Sequence, residues 1–170
     1  YSPSLGITSV RERIAESLEK RFDIPYRKEH IFMASGAAGA LAHAFRAVTV
    51  PGDSILTFAP FFPEYNPYVT LTRAKLKDVP PDLKGFQIDF EKFETMLTND
   101  VTAVLINTPN NPSGIVYTTD TVRELARIME KKAAEYGHEI YLISDEPYRE
   151  IVFEGVDAPF IAKYYPNTIT

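Results

Sequence analysis

The alternation of short apolar runs with longer amphipathic segments constrains the fold of this chain more than any other feature. Residues 101–106 are apolar on both faces, as in a parallel strand buried within a sheet, and residues 55–58 and 140–143 form similar runs. Residues 119–136 repeat at helical spacing and stop at Gly137, a natural helix end. This order predicts an α/β fold of three layers, α/β/α, around a mainly parallel sheet.

The segments between these runs extend the same pattern. Ser9 and Glu12 have the spacing of a capping box, which predicts a helix that runs to about Phe22. The other predicted elements are a strand over 31–34, a helix from 36 to about 48, a helix over 63–71, a strand over 74–79 and a short helix over 89–97 that Asp89 would cap.

Composition excludes several classes of function. The formal net charge is −5 and no basic stripe occurs, so we expect no nucleic-acid partner. The chain has no cysteine, which removes disulfides and thiolate metal sites and favours a cytoplasmic protein. No apolar run is long enough to span a bilayer and no signal peptide opens the chain, so we expect no membrane partner.

Three predicted strands end in residues suited to ligand binding, and open parallel sheets bind ligands at those ends. The first, 31–34, is followed by Ser35, Gly36, Ala37 and Ala38, which open a helix. Small side chains leave the N–H groups of a helix N-terminus accessible to an anion such as phosphate. A tight turn that lets the helix pack closely explains the same residues, so both interpretations stay open.

The second strand is followed by residues 107–114 (NTPNNPSG). Its prolines stiffen the backbone, and Asn110 and Asn111 offer amide donors. A structural loop whose asparagines bond their own backbone is the alternative. The third strand leads to Asp145, with Tyr148 three residues later. A carboxylate at the end of a buried strand needs a partner, which is a set of N–H groups, an arginine or a cationic ligand.

Five segments together resemble the large domain of the class I and II aminotransferases, enzymes of fold type I that use pyridoxal 5'-phosphate (PLP). They are residues 35–41 (SGAAGAL), 51–53 (PGD), 60–65 (PFFPEY), 107–114 (NTPNNPSG) and 144–148 (SDEPY). The resemblance covers the whole chain, and its last two segments are the most specific. It implies PLP as cofactor, and transfer of an amino group between an amino acid and a 2-oxo acid in the full-length protein.

The resemblance also implies residues that bind the cofactor ring. Phe62 stands where the family places an aromatic ring stacked on the pyridine. Asn111 and Tyr148 would donate hydrogen bonds to the phenolic oxygen of PLP, and Asp145 would pair with the pyridine nitrogen. Asp145 and Tyr148 are the expected catalytic residues, and no metal is expected.

Further residues are implied for the cofactor phosphate. Gly36, Ala37 and Ala38 would present backbone N–H groups to it, although many relatives have a hydroxyl residue at the position of Ala38. Tyr1 matches a family tyrosine that reaches the phosphate of the neighbouring subunit, which implies a homodimer.

Some parts of the family pattern are absent. The Schiff-base lysine is expected a few residues after Thr170, and the arginine for the substrate carboxylate lies in a small domain. Lys163, the last lysine, is expected at the surface. Because the chain starts at Tyr1 and stops within a run typical of a strand, we expect residues 1–170 to be an incomplete large domain that is inactive alone.

Two other functions stay open on the sequence, and a third is weaker. The same cofactor residues would serve another fold type I enzyme, such as a β-lyase or a decarboxylase. They would also occur in an aminotransferase-like ligand-sensing domain of a transcription regulator. A nicotinamide-binding domain is disfavoured, because it would need Gly-x-Gly-x-x-Gly and an acidic residue after the second strand, where Ala59 and Pro60 stand.

Overall fold

The first of two compact units is a helix with an irregular segment bound along it. The computed structural model describes residues 3–83, 85–153 and 155–170, and the two units are Tyr1–Ala40 and Leu41–Thr170. In the first unit, α1 (Thr8–Phe22) precedes a 3-10 turn at Lys28–His30. The guanidinium of Arg11 donates to the carbonyl oxygens of Ile31 at 2.8 Å and Lys28 at 2.5 Å, which fastens the later segment to α1.

Two local predictions in this unit are wrong. Helix α1 starts two residues earlier than expected, with Ile7 rather than Ser9 at the N-cap and no side-chain cap, so Ser9 lies inside the helix and forms no capping box. Residues 31–34 do not form a strand. Arg11 takes the carbonyl of Ile31 that a sheet neighbour would use, and Phe32 is 69% exposed. The run is largely exposed, and no strand in the described part of the chain pairs with it, so its apolar residues do not form a strand.

Helix α2 begins where predicted and continues into the second unit, which contains a five-stranded sheet. The strand order is β2-β1-β3-β4-β5 and every pairing is parallel, which confirms the predicted sheet. The elements are α2 (Gly36–Val48), β1 (Ser54–Phe58), α3 (Tyr65–Thr70), β2 (Lys75–Val79), α4 (Phe90–Met96), β3 (Val101–Asn107), α5 (Thr119–Tyr136), β4 (Tyr141–Asp145) and β5 (Thr168–Ile169).

Successive residues of the central strands alternate between two apolar layers, as the pleat requires. On one face, Leu56 and Val104 pack with α4 and α5. On the other face, Ile55 and Leu105 pack with α3 and with the part of α2 that lies in this unit. The three-layer α/β/α prediction is therefore confirmed. Both helical layers are needed, because strands such as β3 are buried on both sides.

The order of the strands determines where a ligand can bind. From β1 the chain crosses outward to β2 in one direction, and from β3 it crosses to β4 and β5 in the other. The reversal lies between β1 and β3, and the carboxyl ends beside such a reversal form a crevice. Over the described residues, none of the helices has the length and apolar character needed to cross a bilayer.

Candidate functional site

The carboxyl ends of β3 and β4 place the predicted polar residues next to each other. Asn107, the last residue of β3, lies directly opposite Asp145, the last residue of β4. The loop that contains Asn111 leaves from β3, and the turn that contains Tyr148 leaves from β4. The sheet therefore brings two of the three predicted sequence segments to one edge.

The carboxylate of Asp145 has a neutral hydrogen-bond partner. Its Oδ2 accepts a hydrogen bond of 2.7 Å from the hydroxyl of Tyr65. Among the described residues, no arginine, lysine or histidine forms an ion pair with it. Burial raises the pKa of Asp145, and the hydrogen bond from Tyr65 opposes that shift. The predicted arginine alternative is thus not realised within the described residues, since Arg149 pairs with Glu146 at 2.8 Å.

Tyr65 is the last residue of the segment 60–65, and the sequence alone predicts no role for it. It is the first residue of α3 and its side chain is completely buried, with 0% of its surface exposed. Its ring is parallel to that of Phe61, with centroids 6.4 Å apart, and meets the edge of Phe62 at 5.7 Å. Burial and the neighbouring carboxylate raise the pKa of Tyr65, so the hydroxyl stays protonated and acts as a donor.

Asn107 connects the β3 loop to the end of β4. Its Nδ2 donates to the backbone oxygen of Asp145 at 2.8 Å, and its Oδ1 accepts from the backbone N–H of Asn111 at 2.7 Å. The side chain is buried, so both bonds are shielded from water. Asn107 therefore fixes the start of the Asn111 loop relative to Asp145.

The two asparagines predicted as donors behave differently. Oδ1 of Asn110 accepts from the N–H and hydroxyl of Ser113, at 3.0 and 2.7 Å, so this residue has the structural role named as the alternative. The carboxamide of Asn111 is half-buried and has no hydrogen-bond partner within the described parts of the chain. Of the two, Asn111 is the one available to a ligand.

Tyr148 lies in the turn after β4 and is half-buried. Over the described ranges its hydroxyl has no hydrogen-bond partner, and its charge when ionised contributes to the raised pKa of Tyr65. The turn is held by Glu146, which accepts from Ser144 at 2.8 Å and pairs with Arg149. Burial raises the pKa of Glu146, and the bonds to Ser144 and Arg149 oppose that shift.

The predicted phosphate residues lie at the start of α2, in the first unit. Gly36 has φ of 72°, which favours glycine, and a side chain there would meet no atom within 4 Å. Ala37 and Ala38 follow in the first turn and are exposed. The first N–H groups of a helix have no partner within it, so they remain available to an anion. Tyr1 lies outside the described residues.

The arrangement suits a cationic ligand that carries a hydrogen-bond donor. A half-buried carboxylate without a cation in the described residues, and with Oδ1 unbonded there, can accept a hydrogen bond from a protonated ring nitrogen. The carboxamide of Asn111 and the hydroxyl of Tyr148 follow on the adjoining loops, without partners among the described residues, and the aromatic ring of Phe62 packs on Tyr65. Over the same residues, no group of three His, Asp or Glu could hold a metal ion.

The chain is similar to known aminotransferases over its whole length. The sequence model of "Aminotransferase class I and II" matches residues 1–170. An aminotransferase structure from Eubacterium rectale is 43% identical, with a TM-score of 0.97, and the match covers 99% of this chain and 42% of that one. Aspartate aminotransferase from Thermotoga maritima is 34% identical over 154 residues, covering 90% of this chain and 39% of the relative.

A third relative is the structure of Thermus thermophilus aspartate aminotransferase with maleate. It is 29% identical, with a TM-score of 0.88, and the match covers 99% of this chain and 43% of that one. The chain thus spans about 40% of the length of these relatives. Because the family match extends from the first residue to the last, the chain belongs to the class I and II aminotransferases.

Proposed function

We propose that this chain is the cofactor-binding part of a PLP-dependent aminotransferase, which in its full-length form transfers an amino group between an amino acid and a 2-oxo acid. The observation that carries the proposal is the carboxylate of Asp145, which is held by a neutral phenol and has no cation in the described residues. The names of the relatives favour amino transfer over a β-lyase, a decarboxylase or a transcription regulator.

Asp145 supplies the charge that the proposed cofactor needs. When bound, PLP supplies an electron sink that weakens the bonds to the α-carbon of an amino acid. A carboxylate beside the ring nitrogen favours its protonated form. The half-buried position of Asp145 strengthens this interaction, because an electrostatic attraction is larger where water is excluded. Asp145 is therefore proposed as a catalytic residue.

The other proposed contacts orient the ring and hold the phosphate. Asn111 and Tyr148, whose polar groups have no partner in the described residues, would donate to the phenolic oxygen of PLP. Phe62 would stack on the ring. The N–H groups of Gly36, Ala37 and Ala38 would bind the phosphate, without a hydroxyl contribution from Ala38.

The assembly and location belong to the same proposal. A homodimer would bring Tyr1 to the phosphate of the neighbouring subunit, and the enzyme would work in the cytoplasm in the metabolism and biosynthesis of amino acids. The Schiff-base lysine and the small domain would be supplied by the full-length protein, so we expect no amino transfer from residues 1–170 alone.

A titration with PLP tests the binding part of the proposal. We expect Asp145→Ala to weaken PLP binding by at least about tenfold, since a hydrogen bond between charged groups contributes about 1.5–3 kcal/mol. Binding is followed by the absorbance of PLP. Asp120→Ala is the matched control, because its side chain is 94% exposed on α5. Equal affinities for Asp145→Ala and the control would contradict the proposal.

An assay of the full-length protein tests the reaction. Mixed with PLP, an amino acid and a 2-oxo acid, the wild type should form the new amino acid, and Asp145→Ala should lose most of that activity while keeping its circular dichroism spectrum. Near-normal turnover in Asp145→Ala would remove this residue from the mechanism. Release of carbon dioxide or ammonia without amino transfer would favour the decarboxylase or the β-lyase.

A further inference from the structure

Tyr65 has no part in the cofactor contacts proposed above. Within the described residues, however, its hydroxyl is the only hydrogen-bond donor to the side chain of Asp145. Its hydroxyl lies 2.7 Å from Oδ2, and its ring is fully buried. A phenylalanine would fill the same apolar volume without placing a polar atom in the core. The hydroxyl therefore needs an explanation beyond packing.

The position of this hydroxyl is fixed by its surroundings. Phe61 and Phe62 contact the Tyr65 ring from two directions, one parallel and one by its edge. Val69, one helical turn further along α3, is also completely buried and anchors the same face of the helix. A donor held this firmly removes the rotational freedom of the carboxylate that accepts from it.

The neutrality of the donor matters for what Asp145 can do next. An arginine in this place would hold the carboxylate equally well but would cancel its charge. The burial of Tyr65 keeps its pKa raised, so it remains an uncharged donor and leaves the negative charge of Asp145 available. Tyr148 is the other titratable group that acts on this pair, through Tyr65.

We propose that Tyr65 is a positioning residue: its hydroxyl fixes Oδ2 of Asp145 and leaves Oδ1 to accept a hydrogen bond from the protonated ring nitrogen of the cofactor. This inference rests on the proposed function, since it assigns Oδ1 to a PLP ring. It adds a residue that acts through Asp145 and does not itself touch the cofactor.

Tyr65→Phe tests the inference, with Tyr165→Phe as the matched control. Tyr165 is also buried, with 3% of its surface exposed, and its hydroxyl donates to the backbone oxygen of Ile140 at 2.6 Å. Both variants therefore remove one buried tyrosine hydroxyl and one hydrogen bond. Only Tyr65→Phe removes a bond to Asp145.

The first measurement uses the cofactor-free protein. The pKa of the Asp145 carboxyl is followed by NMR of protein labelled with ¹³C-aspartate, assigned with Asp145→Asn. We expect this pKa to rise in Tyr65→Phe, because the lost bond stabilised the charged form, and to stay at the wild-type value in Tyr165→Phe. An unchanged pKa in folded Tyr65→Phe would overturn the inference whether or not the protein binds PLP.

The second measurement uses the full-length protein with PLP labelled with ¹⁵N in the ring. The chemical shift of the ring nitrogen reports its protonation, and we expect a smaller protonated fraction and about tenfold weaker PLP binding in Tyr65→Phe than in the control. If the wild type binds PLP and Tyr65→Phe has the same shift and affinity, the inference fails and the proposed function stands. If the wild type binds no PLP, the proposed function itself fails, and with it the role of Oδ1.

If Tyr65→Phe does not fold, the same bond can be followed from its other end. The ¹³Cζ resonance of Tyr65 responds to the hydrogen bond that its hydroxyl makes. Asp145→Ala should shift this resonance, and Asp120→Ala should not. An unshifted resonance in folded Asp145→Ala would overturn the inference.

Discussion

Asp145 is the residue at which stability and the proposed function oppose each other. Burial raises its pKa because the charged form is poorly solvated, and the bond from Tyr65 compensates only in part. The folded protein therefore binds this proton more tightly than the unfolded chain. Its contribution to stability is fully present below the unfolded pKa of about 4, and it is lost as the pH rises through the raised folded value.

Asp145→Asn should consequently stabilise the cofactor-free protein at pH 7. The amide has a similar shape, can still accept from Tyr65 and carries no charge. We expect a higher midpoint in urea denaturation at pH 7, and a difference that disappears below about pH 4, where the wild-type carboxyl is neutral in both states. Asp120→Asn, at an exposed position, is the control. A wild type more stable than Asp145→Asn at pH 7 would show that the charge is satisfied without a ligand.

At the scale of single residues, sequence motifs predict candidate ligand-binding residues but not the hydrogen bonds that join those residues to the rest of the fold. Asp145, Asn111, Tyr148 and Phe62 were predicted because they belong to recognisable segments, and their roles remain proposals. Tyr65 and Asn107 lie in two of the same segments and were given no role. Their bonds to Asp145 span 80 and 38 residues of sequence, and such pairings depend on the sheet register, which no local pattern specifies.

At the scale of helices and strands, predictions succeeded where local chemistry agrees with packing. The bounds of α5 match the prediction, and Gly137 ends it with φ of 73° while its N–H bonds to Ala133. Asp89 caps α4 as expected, with its Oδ1 accepting from the N–H of Lys92. The predicted strand over 31–34 does not form, because no strand among the described residues pairs with it. Whether a partner strand lies beside an apolar run depends on the fold and not on the run itself.

Gly137→Ala should destabilise the protein by about 1 kcal/mol, because a side chain disfavours the left-handed conformation at this helix end. No atom lies within 4 Å of the added methyl group, so the effect is conformational rather than steric. Gly85→Ala is the matched control, since that glycine also has open space and has no positive φ. Chemical denaturation measures both variants. If Gly137→Ala were as stable as Gly85→Ala, the end of α5 would not depend on a glycine at position 137.

On the scale of the whole molecule, the two edges of the sheet respond to pH in opposite ways. At the amino edge, Asp100 accepts from Lys77 at 2.8 Å and from Ser54 and Thr98 at 2.6 Å each. These bonds, that of Lys77 first, lower the pKa of Asp100. At the carboxyl edge, burial raises the pKa of Asp145. Ionisation of Asp100 at the amino edge therefore stabilises the fold, and ionisation of Asp145 at the carboxyl edge destabilises it.

Asp100→Asn should lower stability at neutral pH, in contrast to Asp145→Asn. The stabilisation from a carboxylate with a lowered pKa is present above its unfolded pKa of about 4 and is lost as the pH falls through the folded value. The side chain of Asp100 is 46% exposed, so solvent screening keeps the effect small. Urea denaturation from pH 3 to pH 8 measures it. A deficit that grows as the pH falls would contradict the assignment.

The alternation of segments predicts the three-layer α/β/α architecture, but it does not predict the order and register of the strands. Apolar runs such as residues 101–106, separated by helical segments, were enough for a parallel sheet with helices on both faces. The order β2-β1-β3-β4-β5 and the offset between neighbouring strands follow from how the helical layers pack. Those contacts connect residues far apart in the chain, so a reading of local periodicity cannot supply them.

Strand β5 has a consequence for any residue joined to its end. It pairs with β4 in parallel, with Ile169 opposite Ile143, so successive residues of the two strands lie opposite each other. Neighbouring strands lie about 4.8 Å apart and rise about 3.3 Å per residue. A peptide continuing straight beyond Thr170 would therefore pass the backbone of Asp145 at about that spacing, with no turn required. A side-chain amine a few residues further along that peptide would therefore lie at the carboxyl edge of the sheet, close to Asp145.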